Sequence, residues 1–157
     1  MLAVAAQTPF ESPGDWLSVT LPRSADHCYA LFADVERTPE WLTILRSATV
    51  TDRDPRGRPR RVAFLCSLHR ASVGYTLAYK FAPVERRVSW TTRPRASLRV
   101  RGTAHFQLLG ASSCLMTYGL DLAFGGGPPR FDDDAFSSHA TSASLADFRD
   151  FVLRQPA

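Results

Sequence analysis

The sequence predicts an α+β fold: a curved, antiparallel, seven-stranded sheet wrapped around a long C-terminal helix, with two short helices after the first strand. Three observations predict it. Seven segments read as strands, most of them alternating apolar and polar residues with the period of a half-buried sheet. Asp132 to Arg154 instead repeats at steps of three and four, and it follows Phe124-Gly125-Gly126-Gly127-Pro128-Pro129, the strongest chain break in the sequence. Gly74, Gly102 and Gly119 fall inside predicted strands, where glycine suggests bulges or bends. A sheet bent at several strands wraps around something.

Trp16 to Leu21 alternates and reads as the first strand, ended by Pro22. Ser24 is a good N-cap and Asp26 suits a first helical turn. Ala25, Cys28, Phe32 and Val35 then form the inner stripe of a short helix. Thr38-Pro39 opens a second one, with proline where it costs no hydrogen bond and with Trp41, Leu42, Ile44 and Leu45 as its apolar side. Strands follow at Ala48–Arg53, Arg61–Leu68, Ser72–Phe81 and Arg86–Arg93, then from Leu98 to Leu108 and from Cys114 to Leu122. Residues 54–59 form a hairpin loop and His69-Arg70 a turn. The inward sets are Val62, Phe64, Cys66 and Leu68; Val73, Tyr75, Leu77, Tyr79 and Phe81; and Val88 and Trp90. The last two strands add Leu98, Val100, Gly102, Ala104, Phe106 and Leu108, then Cys114, Met116, Tyr118, Leu120 and Leu122. Short turns make neighbours antiparallel.

In the final helix Asp132, Asp133 and Asp134 suit the positive end of the dipole. Ala135, Ser138, Ser142, Leu145, Phe148 and Val152 mark one face. Its second half is greasy, but Ser137 to Ser144 is small and polar. Small side chains facing a sheet leave room, and we read that room as a ligand cavity. Leu145 to Val152 is expected to lock the helix to the sheet, and residues 135–144 to face the ligand.

At 157 residues this is one domain by length, long enough to bury about 70% of its unfolded surface. Residues 1–14 read as a loose N-terminal arm and 15–157 as the domain. No apolar run reaches the roughly 18 residues of a membrane span, so no integral membrane segment is expected. The apolar start lacks the basic region of a signal peptide. Cys28, Cys66 and Cys114 are an odd number without a CxxC spacing, which argues for buried free thiols in a cytoplasmic protein. The net charge is +4, and almost all of the positive charge is arginine, Lys80 being the only lysine. No stacking aromatics accompany those arginines, so no nucleic acid is expected as a partner. His27, His69, His105 and His139 are scattered, so no metal site is expected. GxGxxG, P-loop and GxSxG patterns are missing, so no cofactor is expected.

The element order is the helix-grip arrangement. The stretch from Leu21 to Leu42, with Asp34-Val35-Glu36 followed by Pro39-Glu40-Trp41, resembles the N-terminal signature of the SRPBCC (START/Bet v 1-like) superfamily. Its polyketide cyclase/dehydrase and lipid-transport branch is the most similar. Val88-Ser89-Trp90, Gly102 before Ala104-His105-Phe106, and the glycine-rich break also fit. The resemblance spans about residues 15–154. It implies a deep apolar cavity between sheet and helix. The matching positions are Phe64, Cys66, Tyr75, Leu77, Tyr79, Trp90, Val100, Phe106, Met116 and Tyr118 from the sheet. His139, Thr141 and Ser142 would come from the helix and Trp41 from an end wall.

Three functions stay open on this reading. The first is a carrier or binding protein for a lipid, polyketide or similar hydrophobic molecule, with Gly125–Gly127 letting the adjoining loop open as a gate. The second is a polyketide aromatase/cyclase-dehydrase, with Tyr75, Tyr118 and His139 as catalytic candidates. The resemblance implies for that enzyme an inward arginine on an early strand, where this chain has Phe64, Cys66 and Leu68, with Arg61 and Arg70 only at the ends. The third is an interaction module, as a monomer or weak dimer. Arg87, Arg93, Arg99, Arg101 and His105 on the outer sheet face, with Arg56, Arg58 and Arg60, would meet an acidic carrier protein or an anionic membrane surface.

Overall fold

The computed structural model describes residues 16–68, 70–124 and 131–156, without the side chains of 68, 124 and 131–137. The expected loose arm, the Gly125–Gly127 gate and the His69 half of the turn lie outside the described residues, as do the side chains of the expected Asp132–Asp134 caps.

Seven strands form one antiparallel sheet in the order β1-β7-β6-β5-β4-β3-β2. β1 is Trp16–Leu21, β2 Leu45–Arg53, β3 Pro59–Leu68, β4 Ala71–Ala82, β5 Arg87–Thr91, β6 Leu98–Gly110 and β7 Ser113–Phe124. Between β1 and β2 stand α1 (Ala25–Ala33), a 3-10 turn (Val35–Arg37) and α2 (Thr38–Trp41). α3 (Phe131–Arg154) ends the chain and packs against β7 and β1, so the curved sheet grips it.

Local chemistry sets the boundaries. The Ser24 hydroxyl accepts the backbone N–H of His27 at 3.1 Å and caps α1. Ala25, Cys28, Phe32 and Val35 are all buried, as their spacing predicts. The hairpin between β2 and β3 is tied by Asp54, whose Oδ1 accepts the N–H groups of Arg56 and Arg58 at 2.9 Å. Gly57 supplies the left-handed residue this turn needs, at φ 84°.

Three expectations are corrected. α2 ends at Trp41, and β2 starts at Leu45, three residues before the predicted Ala48. Leu42, Ile44 and Leu45 are therefore a connection and a strand start. The helix stops because Leu42 turns to extended backbone, at φ −94° and ψ 94°. Gly74, Gly102 and Gly119 carry no bulge, since the strand register runs unbroken through each. The irregularities lie at Leu45/Ser47, Val50/Asp52, Asp52/Arg53 and Leu108/Gly110. Leu108 shares the inward register but is 60% exposed. Its neighbour β5 pairs only as far as Arg87↔His105, so the end of β6 projects past the core.

The core is a single cluster centred on aromatic rings. Phe148 of α3 meets Trp41 at 5.0 Å and Phe32 at 5.2 Å between ring centroids, both edge-on. Arg37 ties the end of α3 down: its guanidinium lies 5.2 Å over the Phe151 ring and reaches Gln155 Oε1 at 3.3 Å.

Candidate functional site

Between sheet and α3 lies an apolar cavity of about 90 Å³. β3 contributes Phe64 and Cys66, β4 Tyr75, Leu77 and Tyr79, β5 Trp90, and β6 Val100. Tyr118 comes from β7 and Trp41 from α2. Strand alternation puts these side chains on one face, and the antiparallel register brings Phe64 opposite Tyr75 and Tyr79 opposite Trp90. The rings touch: Phe64 stacks on Tyr75 at 5.6 Å, and Trp90 meets Tyr118 at 5.8 Å.

The remaining predicted lining residues fall elsewhere. Phe106 and Met116 are fully buried but belong to the packed core; Phe106 contacts Phe32 and Phe148 rather than the cavity. His139 and Ser142 are exposed, and neither lines the cavity. The helix presents Ala140 and Ser144 instead. At about 100° per residue, Thr141, Ser144, Leu145 and Val152 lie within about 60° of Phe148 on the helix. Ser142 lies about 120° away and His139 on the far side. Thr141 is buried but serves the architecture, donating its hydroxyl to the Leu120 carbonyl of β7 at 3.1 Å.

Several lining residues went unnoticed in the sequence. Phe32 and Leu45 read there only as helix core; Thr38, Leu42 and Ile44 read as helix start and apolar side. Ile44 is 47% exposed while lining the cavity, which puts it at the mouth. Ser144 carried a readable signal, being a hydroxyl one turn before Phe148 on the inward stripe.

None of the described lining residues carries a charge. The polar groups are phenols, small hydroxyls and the Cys66 thiol. Burial pushes the Tyr118 phenol up to about 12, partly offset by a hydrogen bond from the Ser144 side chain. Burial raises Tyr75, and the nearby Cys66 and Tyr118 add to the rise. Burial also raises Tyr79 well above the ordinary phenol value, with Tyr75 and Tyr118 beside it. The three phenols thus surround one space and hold their protons at neutral pH. The Tyr75 and Tyr79 hydroxyls make no hydrogen bond to a described residue. Trp41 Nε1 also has no partner among the described residues, but it is sealed within the packing.

Several arginines of the β2–β3 hairpin, and Arg101 of the outer face, are internally paired. Arg60 and Arg61 share Asp52 at 2.7 and 3.2 Å, Arg58 meets Asp54 at 3.2 Å, and Arg101 meets Asp121 at 2.9 Å. Among the described residues, no group of three or more His, Cys, Asp or Glu side chains could hold a metal ion. No helix there is long and apolar enough to cross a membrane.

Comparison with known proteins places this architecture. Residues 17–150 match the family described as polyketide cyclase / dehydrase and lipid transport, and the chain belongs to that family. Its structure resembles a START superfamily protein from Mycobacterium smegmatis, with a TM-score of 0.79 at 16% identity, covering 89% of this chain and 97% of that one. It also resembles the Zhui aromatase/cyclase from Streptomyces sp. R1128, with a TM-score of 0.72 at 14% identity, covering 89% and 93%. A di-domain ARO/CYC, BexL of the BE-7585A biosynthetic pathway, gives a TM-score of 0.70 at 16% identity. That match covers 88% of this chain and 46% of BexL, about half of the larger protein. At these identities the likeness is one of fold. No curated protein sequence matches the chain.

Proposed function

We propose that the protein binds a small hydrophobic molecule in the cavity between sheet and α3, as a carrier or binding protein that releases it unchanged. The uncharged wall carries this reading. Cyclisation and dehydration need a group that gives or takes a proton near neutral pH. The described wall offers phenols driven upward by burial, and His139, the histidine candidate, is exposed. An apolar wall with a few hydroxyls is what retention of a ligand needs. Native mass spectrometry of the purified protein tests the proposal. We expect an added small-molecule mass that organic extraction removes. A bare protein that also takes up no hydrophobic probe would sink it.

A polyketide cyclase/dehydrase is the second reading, favoured by the convergence of Tyr75, Tyr79 and Tyr118 on one space. Neutral phenols can hydrogen-bond a carbonyl as charge builds on its oxygen. Assay with a poly-β-ketone substrate separates the readings. Catalysis predicts that Tyr118→Phe redistributes products, whereas identical products with wild type, Tyr118→Phe and Tyr75→Phe leave binding alone.

A further inference from the structure

Resting on the binding reading, we infer that the cavity selects compact, uncharged ring compounds bearing a hydrogen-bond acceptor, such as a ketone or ether oxygen, against both hydrocarbons and carboxylates. Three observations converge on this class.

The first is size. At about 90 Å³ the cavity is smaller than the roughly 150 Å³ apolar cavity that admits benzene. A ring can therefore enter only in part, and the remainder of a ligand must sit toward the mouth at Ile44. Aromatic walls on several sides, Phe64 with Tyr75 and Trp90 with Tyr118, suit a flat ring more than a folded alkyl chain.

The second is the donor set. Tyr75 and Tyr79 present hydroxyls without a described partner, and the Tyr118 hydroxyl, beside Ser144, has a proton of its own to donate. A ligand without an acceptor covers those donors without pairing them, which costs affinity. A ligand with one pairs them.

The third is charge. No described lining residue is cationic, so a carboxylate would lose its water without gaining a counter-ion. The same environment already disfavours ionisation of the wall's own phenols and of the Cys66 thiol.

The test is a matched series on the full chain: 1-indanone, indane and indane-1-carboxylate, titrated at pH 7.5 and followed by protein NMR shifts. We expect the ketone to bind roughly 3- to 10-fold tighter than the hydrocarbon, the span of one neutral hydrogen bond. The carboxylate should bind at least about tenfold more weakly than the ketone. In a Tyr75→Phe/Tyr79→Phe double variant the ketone-to-hydrocarbon ratio should fall toward one. Binding of indane as tight as indanone, of carboxylate as tight as ketone, or an unchanged ratio in the double variant overturns this inference while leaving the cavity a binding site. Failure of all three compounds to bind overturns the binding reading along with it.

Discussion

Trp90 and Gly102 stand directly opposite each other on β5 and β6, and the indole lies across the glycine backbone. A β-carbon on residue 102 would sit 2.3 Å from Trp90 Cζ2 and 2.5 Å from its Nε1. Both contacts are too short for real atoms, and the ring cannot yield as a flexible chain end would. Gly102 is therefore the seat of a cavity wall.

Gly102→Ala should push the indole into the cavity. We expect a loss of about 1–3 kcal/mol in urea unfolding, the usual cost of overpacking, together with weakened ligand uptake. Adding Trp90→Phe should restore part of both. If Gly102→Ala alone leaves stability and uptake at wild-type levels, the seat has been misread.

Phe148 joins α3 to the rest of the core, with its ring against Phe32, Trp41, Phe106 and Phe151. Phe148→Ala should cost about 3–5 kcal/mol, measurable as a lower urea midpoint. A change under about 1 kcal/mol would mean that α3 is held by other contacts.

The helix phase makes a paired prediction. Ser144 is buried beside Tyr118, whereas Ser142 and His139 face outward. Ser144→Leu should reduce uptake of a hydrophobic probe, while Ser142→Leu and His139→Ala should not. Equal loss in Ser142→Leu, measured by the same titration, would rotate the helix back to the face read from sequence.

Alkaline stability follows from Cys28 and Cys114, buried neighbours on α1 and β7. Burial, with Cys114 adding to it, pushes the Cys28 thiol from its ordinary 9.0 up to about 12. Burial also raises Cys114. Between those pH values the unfolded thiols lose protons that the folded ones keep. Unfolding then releases protons, and stability falls as pH rises. The urea midpoint should hold below about pH 9 and decline from there to pH 11; the raised phenols Tyr75, Tyr79 and Tyr118 add to the decline above their ordinary 10.0, so the shallower slope of Cys28→Ala isolates the thiol. A flat wild-type profile over that range would contradict the burial of these thiols.

Strand patterning made most of the wall legible in advance. Alternation puts Phe64, Cys66, Tyr75, Leu77, Tyr79, Trp90, Val100 and Tyr118 on the inward face, because a period of two leaves only two faces to choose from. The resemblance implies that this face lines a cavity; neither separates them from Phe106 and Met116, which pack into the core. The helix was harder for the opposite reason. From Ser137 to Ser144 every side chain except His139 is a serine, alanine or threonine, so hydrophobic contrast cannot pick the inward stripe, and steps of three and four fit several. Leu42, Ile44 and Leu45 misled because four apolar residues in five positions, counting Trp41, suit a buried helix and a strand start equally. Gly102 stands out in the sequence as a strand glycine, but its reason lies on another strand: a glycine opposite a tryptophan cannot be read before the register is known.

The place of β1 also bears on how the molecule assembles. Ser18 meets Thr117 across a separation of 99 residues, so the first strand waits for the seventh before it gains any partner. Contacts that distant in sequence slow folding. On a ribosome, β2 to β5 can zip hairpin by hairpin while Trp16–Leu21 stays unpaired. The helix that covers the cavity is made after every strand. The binding space is thus the last part of the protein to come into being, and an unfinished chain offers its aromatic face to whatever is nearby.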